Sequence, residues 1–142
     1  MKKLTGIIAS FLALAFCLAP YSLAVEEQTY MGQEIVEPRY EVISGILTTL
    51  AISESGRADT RATVHVPSGY KVDLLSELQQ MKGSKWDTIH DWETSGSGRV
   101  SVSGPWYVLP GYSYRLKVTV TVYDSNGNFV EAPVEYSKVQ EY

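Results

Sequence analysis

The sequence predicts an all-β fold: a small antiparallel β-sandwich of six or seven strands behind an N-terminal signal peptide. Three observations predict it. From Tyr112 to Tyr123 the residues Tyr112, Tyr114, Leu116, Val118, Val120 and Val122 alternate with Ser113, Arg115, Lys117, Thr119 and Thr121, the period of a half-buried strand. Turn signals such as Ser55-Gly56, Pro67-Ser68-Gly69, Gly104-Pro105 and Asn126-Gly127 punctuate the chain about every dozen residues. The length, 142 residues, suits one domain and is short for two.

Met1-Lys2-Lys3 places two cations ahead of an apolar run from Leu4 to Leu18, and Ser22-Leu23-Ala24 supplies small residues where a signal peptidase cuts. The run is shorter than the ~20 residues that span a bilayer, and Pro20 ends it. Residues 1–24 therefore read as a signal peptide cleaved after Ala24, with no membrane span left in the mature chain. Bulky Phe16 before Cys17 argues against a lipid-modified cysteine, so Cys17 reads as leader filler. The chain has no other cysteine, and the exported domain must hold together by burial alone.

Residues 25–39, with Glu26, Glu27, Glu34 and Glu37, read as an acidic flexible tether, and residues 40–142 as the sandwich. Val42, Ile43, Ile46, Thr48, Thr49 and Ile52 favour a first strand between Tyr40 and Ser53, although Ile43, Ile46, Leu47 and Leu50 also fit a helical face. Ala62, Val64 and Val66 alternate with Arg61, Thr63 and His65 in a second strand. Val72, Leu75, Leu78 and Met81 recur at helical spacing, yet Gly83 follows so closely that a hairpin fits better. Its strands run from about Tyr70 to Met81 and from Trp86 to Glu93. Ser95-Gly96-Ser97-Gly98 reads as flexible punctuation before a short strand at Arg99–Ser103, which Gly104-Pro105 closes. After the strong strand at Tyr112–Tyr123, Phe129–Ser137 is the partner, with Pro133 marking an edge.

Parity sets two registers. A three-residue loop of Ser125, Asn126 and Gly127 pairs Val122 with Val130, Val120 with Ala132 and Val118 with Val134, keeping the Glu131 charge out of line with the core. With Gly83-Ser84 as the other turn, Leu78 and Ile89 point inward, while Leu75, Met81, Trp86 and Trp92 share the opposite, partly accessible side. A β-bulge that turned one Trp inward would break this arrangement.

The chain carries a net charge of −4, and losing Lys2 and Lys3 with the leader makes it more acidic. Its remaining cations are scattered along the sequence, so nucleic acid is a poor partner. His65 and His90 stand at no nucleophile or metal spacing; His65 alternates outward with Arg61 and Thr63. Asp87, Asp91 and Glu93 could pair as glycosidase carboxylates, although any acidic strand end offers such pairs. Asp124, Asn126, Asn128 and Glu135 match a calcium loop in part, but Phe129 stands where that loop needs glycine, and a hairpin turn explains them better. No metal or cofactor is expected. Ten Tyr and three Trp outnumber three Phe, of which Phe11 and Phe16 fall in the leader. Such amphipathic rings suit wet sheet faces and binding faces. Trp86, Trp92, Met81 and His90 are the candidate binding residues.

Gly111-Tyr112-Ser113-Tyr114-Arg115-Leu116 and the strand after it resemble the penultimate strand of immunoglobulin- and fibronectin-like domains, where a tyrosine opens the strand. Together with the leader, Leu78-Gln79-Gln80, Lys85-Trp86, Trp92, Tyr114-Arg115 and Asp124-Ser125-Asn126-Gly127 resemble an uncharacterised family of small secreted proteins of clostridial-type bacteria. The resemblance implies an extracellular immunoglobulin-like sandwich and no assigned activity. The expectation is a non-enzymatic interaction module whose partner is a protein or glycan of the cell envelope or host. A carbohydrate-binding module using exposed Trp and a small secreted hydrolase are the alternatives.

Overall fold

A computed structural model describes residues 39–142; the expected signal peptide and all of the expected tether except Arg39 lie outside the described residues. Strands β1 (Gly45–Ile52), β2 (Arg57–His65), β3 (Lys71–Lys82), β4 (Lys85–Ser97), β5 (Arg99–Tyr107), β6 (Ser113–Tyr123), β7 (Phe129–Glu131), β8 (Val134–Tyr136) and β9 (Gln140–Glu141) follow in order. They form two antiparallel sheets. One has the order β1-β2-β5, and the other runs β4-β3-β6-β7, with β8 and β9 also paired to β6. Strands β7, β8 and β9 are successive pieces of one interrupted edge strand along β6, broken where Pro133 cannot donate to the ladder.

The alternation read from the sequence builds the core. Tyr114, Leu116, Val118, Val120 and Val122 of β6 and Val72, Leu74 and Leu78 of β3 are buried, as are Ala58, Ala62 and Val64 of β2 and Val100 of β5. Small alanines on β2 answer branched side chains on the other sheet, the large-against-small matching that close packing requires. Truncating one of these leucines to alanine costs about 2–5 kcal/mol. Tyr114 is buried as far as its ring, and its hydroxyl donates to the Leu109 carbonyl at 2.6 Å, tying β6 to the loop before it.

Several elements run longer than expected. Strand β4 continues through Ser95, Gly96 and Ser97, which pair with Asp73, Val72 and Lys71, so this stretch is ladder and not flexible punctuation. Strand β5 passes through Gly104-Pro105 to Tyr107. Pro105 is tolerated because β5 is an edge strand with one side unpaired.

Both registers set by parity are corrected by bulges. The 124–128 turn forms as expected: Gly127 has φ 83°, and Tyr123 pairs with Phe129. Beyond it the register shifts, so Val122 pairs with Glu131 instead of Val130, and Val118 with Glu135 instead of Val134. The acidic residue tolerates this place because its carboxylate accepts the backbone N–H groups of Glu41, Val42 and Ile43 at 3.0, 2.9 and 3.2 Å. A charge expected to be costly is thus satisfied by a segment far away in sequence.

The second bulge lies between Leu78 and Gln79, where Leu78 pairs with His90, Gln79 with Thr88, and Ile89 is the extra residue. Leu78 is fully buried and Ile89 packs against the core, as expected. On either side of the bulge, however, β4 presents opposite parities. Met81 pairs with Trp86 on the solvent face, whereas Trp92 pairs with the buried Ser76 and so faces the sandwich interior. The expectation that Trp86 and Trp92 share one side is overturned.

Candidate functional site

The four candidate residues therefore divide into two pairs on opposite faces of one sheet. On the outer face, Trp86 on β4 and Arg115 on β6 reach toward each other across β3. The Arg115 guanidinium lies 4.3 Å from the Trp86 ring and 4.2 Å from the Tyr136 ring, sandwiched between them. Its Nε donates to Gln79 Oε1 at 2.8 Å. A polar chain continues outward from there. Gln79 donates to Thr88, Thr88 donates to Glu77 at 2.9 Å, and Glu77 pairs with Lys117 at 3.0 Å. Strand parity explains the row, because Met81, Gln79 and Glu77 on β3 and Arg115 and Lys117 on β6 all point away from the core. Such contacts hold long side chains in one geometry, which lowers the entropy lost when a partner docks.

Trp86 and Met81 are half-buried and Tyr136 is exposed, as are Val134 and Phe129 further along the same edge. No described element covers this row. One face of the Trp86 ring is already taken by Arg115, so a sugar has only the other face and the rim to stack on.

On the inner side, His90 and Trp92 meet a residue that the sequence reading left unplaced. Trp106 stacks on His90 with ring centroids 3.8 Å apart and planes 10° from parallel, while His90 meets Trp92 edge to face at 4.6 Å. The Trp92 indole lies directly over Gly104 of β5, where a Cβ would sit 2.2 Å from its Nε1. These rings close the gap between edge strands β4 and β5. Of the four candidates, half-buried His90 and Trp92 thus pack toward β5, while Trp86 and Met81 stand on the outer face.

The remaining candidates are placed as follows. His65 is exposed on the outer face of the smaller sheet. Asp91 and Glu93 are exposed opposite Glu77 and Leu75, and Asp87 pairs with Lys82 at 3.7 Å. Among the described residues no three His, Cys, Asp or Glu side chains come together as a metal would require. Asp124 Oδ1 accepts the N–H groups of Asn126 and Asn128, and Oδ2 accepts the Asn128 amide. The backbone bond from Asn128 leads in holding the Asp124 carboxyl below its ordinary value. This carboxylate organises a turn.

Arg115, Tyr136 and Trp106 are the residues that sequence reasoning missed. Arg115 and Tyr136 lie 21 positions apart and meet only through strand pairing, but Trp106 was within reach: it continues the Val100, Val102 alternation once Pro105 is allowed inside an edge strand. Among the described residues no helix is long and apolar enough to cross a membrane. No family model matches the chain, and no curated protein matches it.

Proposed function

We propose that this chain is a secreted, non-enzymatic module of immunoglobulin-like type that recognises a protein or glycan of the cell envelope or host through the outer face of its larger sheet. The single observation that carries the reading is the Trp86–Arg115–Tyr136 row, three large side chains ordered by mutual stacking on a face no described element covers. Tryptophan, tyrosine and arginine are the residues whose truncation most often weakens binding. The immunoglobulin-like assignment is supported by strand order: first, second and fifth strands in one sheet, with the third and sixth central to the other. It is also supported by Tyr114, which opens the penultimate long strand and bonds back to Leu109. Export is supported by the leader grammar of residues 1–24.

The test is an array of envelope polymers and host surface proteins probed with the wild-type chain and with a Trp86→Ala, Tyr136→Ala double variant. Ligands captured by the wild type and lost by the folded variant support the reading. Identical capture by both removes the outer face from it.

A further inference from the structure

The outer face of the smaller sheet carries a second surface, of different chemistry. Strand pairing there gathers basic side chains that are scattered in the sequence. Arg57, Arg61 and His65 follow one another along the solvent side of β2, and Arg99 of β5 lies directly opposite His65. The carboxylate among them, Asp59, accepts Arg57 Nε at 3.1 Å, and both side chains remain more than half exposed or close to it, at 50% and 59%. Arg61 and Arg99 are exposed, and among the described residues neither has an ionic partner. On a chain whose net charge is −4, this face is locally reversed in sign.

The face is also concave and rich in hydroxyls. A shallow groove of about 430 Å³ runs across all three strands, lined among others by Thr49, Arg57, Asp59, Arg61, Ser103 and Pro105. Thr63 and Ser101 share a hydroxyl bond beside it at 2.8 Å, and Tyr107, 70% exposed, stands opposite Arg57 at one end. Same-side residues four apart on a strand are about 13 Å apart, so Arg57 and Arg61 are widely spaced cations with neutral hydroxyls between them.

We infer that this face binds an acidic polysaccharide laid along the groove, with Arg61 inside the groove and Arg99 beyond its end, opposite His65, receiving carboxylates, Asp59 accepting sugar hydroxyls, and Thr49 and Ser103 completing the hydrogen bonds. Guanidinium forks match carboxylates in a bidentate manner. A chain of sugars in which acidic units alternate with neutral ones matches sparse cations set among hydroxyls. A nucleic acid, with a phosphate at every residue, asks for a denser basic track. An acidic peptide leaves the hydroxyl row and Asp59 without partners. The site is separate from the Trp86 face, on the opposite side of the sandwich.

Affinity electrophoresis of the full chain through gels containing hyaluronate, in which a uronic acid alternates with a neutral sugar, tests this, with dextran, poly-glutamate and a single-stranded oligonucleotide as parallel arms. Retention by hyaluronate alone is expected. It should fall by about tenfold or more in an Arg61→Gln, Arg99→Gln variant, the size expected for loss of two charge-assisted contacts, and remain in the Trp86→Ala, Tyr136→Ala variant. A thermal melt of each variant establishes that these exposed substitutions leave the fold intact. No retention by hyaluronate, undiminished retention in the double Arg variant, or equal retention by poly-glutamate or the oligonucleotide overturns the assignment.

Discussion

Replacing Gly104 by alanine should cost far more than adding one methyl group to a strand. The built Cβ would lie 2.2 Å from Trp92 Nε1, 2.8 Å from Cε2 and 2.9 Å from Cδ1, all atoms of a rigid ring. Ordinary contact begins near 3.4 Å, so the indole must retreat by more than an ångström. Trp92 cannot do so freely, because it is flanked edge-on by His90, which is itself stacked on Trp106. Gly104 is not among the residues with positive φ, so the new side chain brings no backbone strain and the cost is steric. A tryptophan buries roughly 150–250 Å². Losing about half of that at ~25 cal/mol per Å² gives about 2–3 kcal/mol. For a domain of this size that lowers Tm by roughly 10 °C or more. Urea and thermal melts of Gly104→Ala measure it, and a double-mutant cycle with Trp92→Ala isolates the contact. In the Trp92→Ala background the extra methyl should cost little. A single variant within about 0.5 kcal/mol of wild type, or costs that simply add, would refute the reasoning.

Three other outcomes follow from individual side chains. Ser76 Oγ is buried without a hydrogen-bond partner, so Ser76→Ala should stabilise the domain by about 1 kcal/mol in urea titration. Asp124 has its carboxyl held below the ordinary 3.8, chiefly by the backbone bond from Asn128. Its contribution is therefore present above pH 3.8 and lost as the pH falls below it, and Asp124→Asn should flatten that part of the acid limb in melts across pH. Tyr40 donates its hydroxyl to Glu135, and burial first, then this bond, push its phenol from 10.0 up to about 12. The neutral phenol thus contributes stability that is complete below pH 10 and lost as the pH rises toward 12. Tyr40→Phe should remove this loss, and tyrosinate absorbance should show two late-titrating phenols, Tyr40 and the buried Tyr114, of which Tyr40→Phe removes one.

Strand identities were legible wherever a single face decides them. Strand β6, with its unbroken alternation from Tyr114 to Val122, and the Gly83-Ser84 hairpin emerged as read. Parity failed where one extra residue enters a ladder. Nothing in Leu78-Gln79 or Ile89 announces a bulge, yet it turns Trp92 from the solvent face into the sandwich. Likewise Val130 looks like the natural mate of Val122, and only the fold brings the Glu41–Ile43 N–H groups to Glu131. Of the outer-face row, the sequence singled out Met81 and Trp86 but not Arg115 and Tyr136. The meeting of Arg115 with Tyr136, like that of His65 with Arg99, depends on cross-strand neighbours that sequence spacing does not encode.

The functional reading rests on one indole being surface and the other core, and urea titration of Trp86→Ala beside Trp92→Ala tests that division most directly. Trp86→Ala should cost about 1 kcal/mol, the size of a partly exposed cation–π contact, while Trp92→Ala should cost about 3 kcal/mol, as for a packed aromatic. Equal large losses, or the reverse order, would contradict the account and return Trp86 to the core.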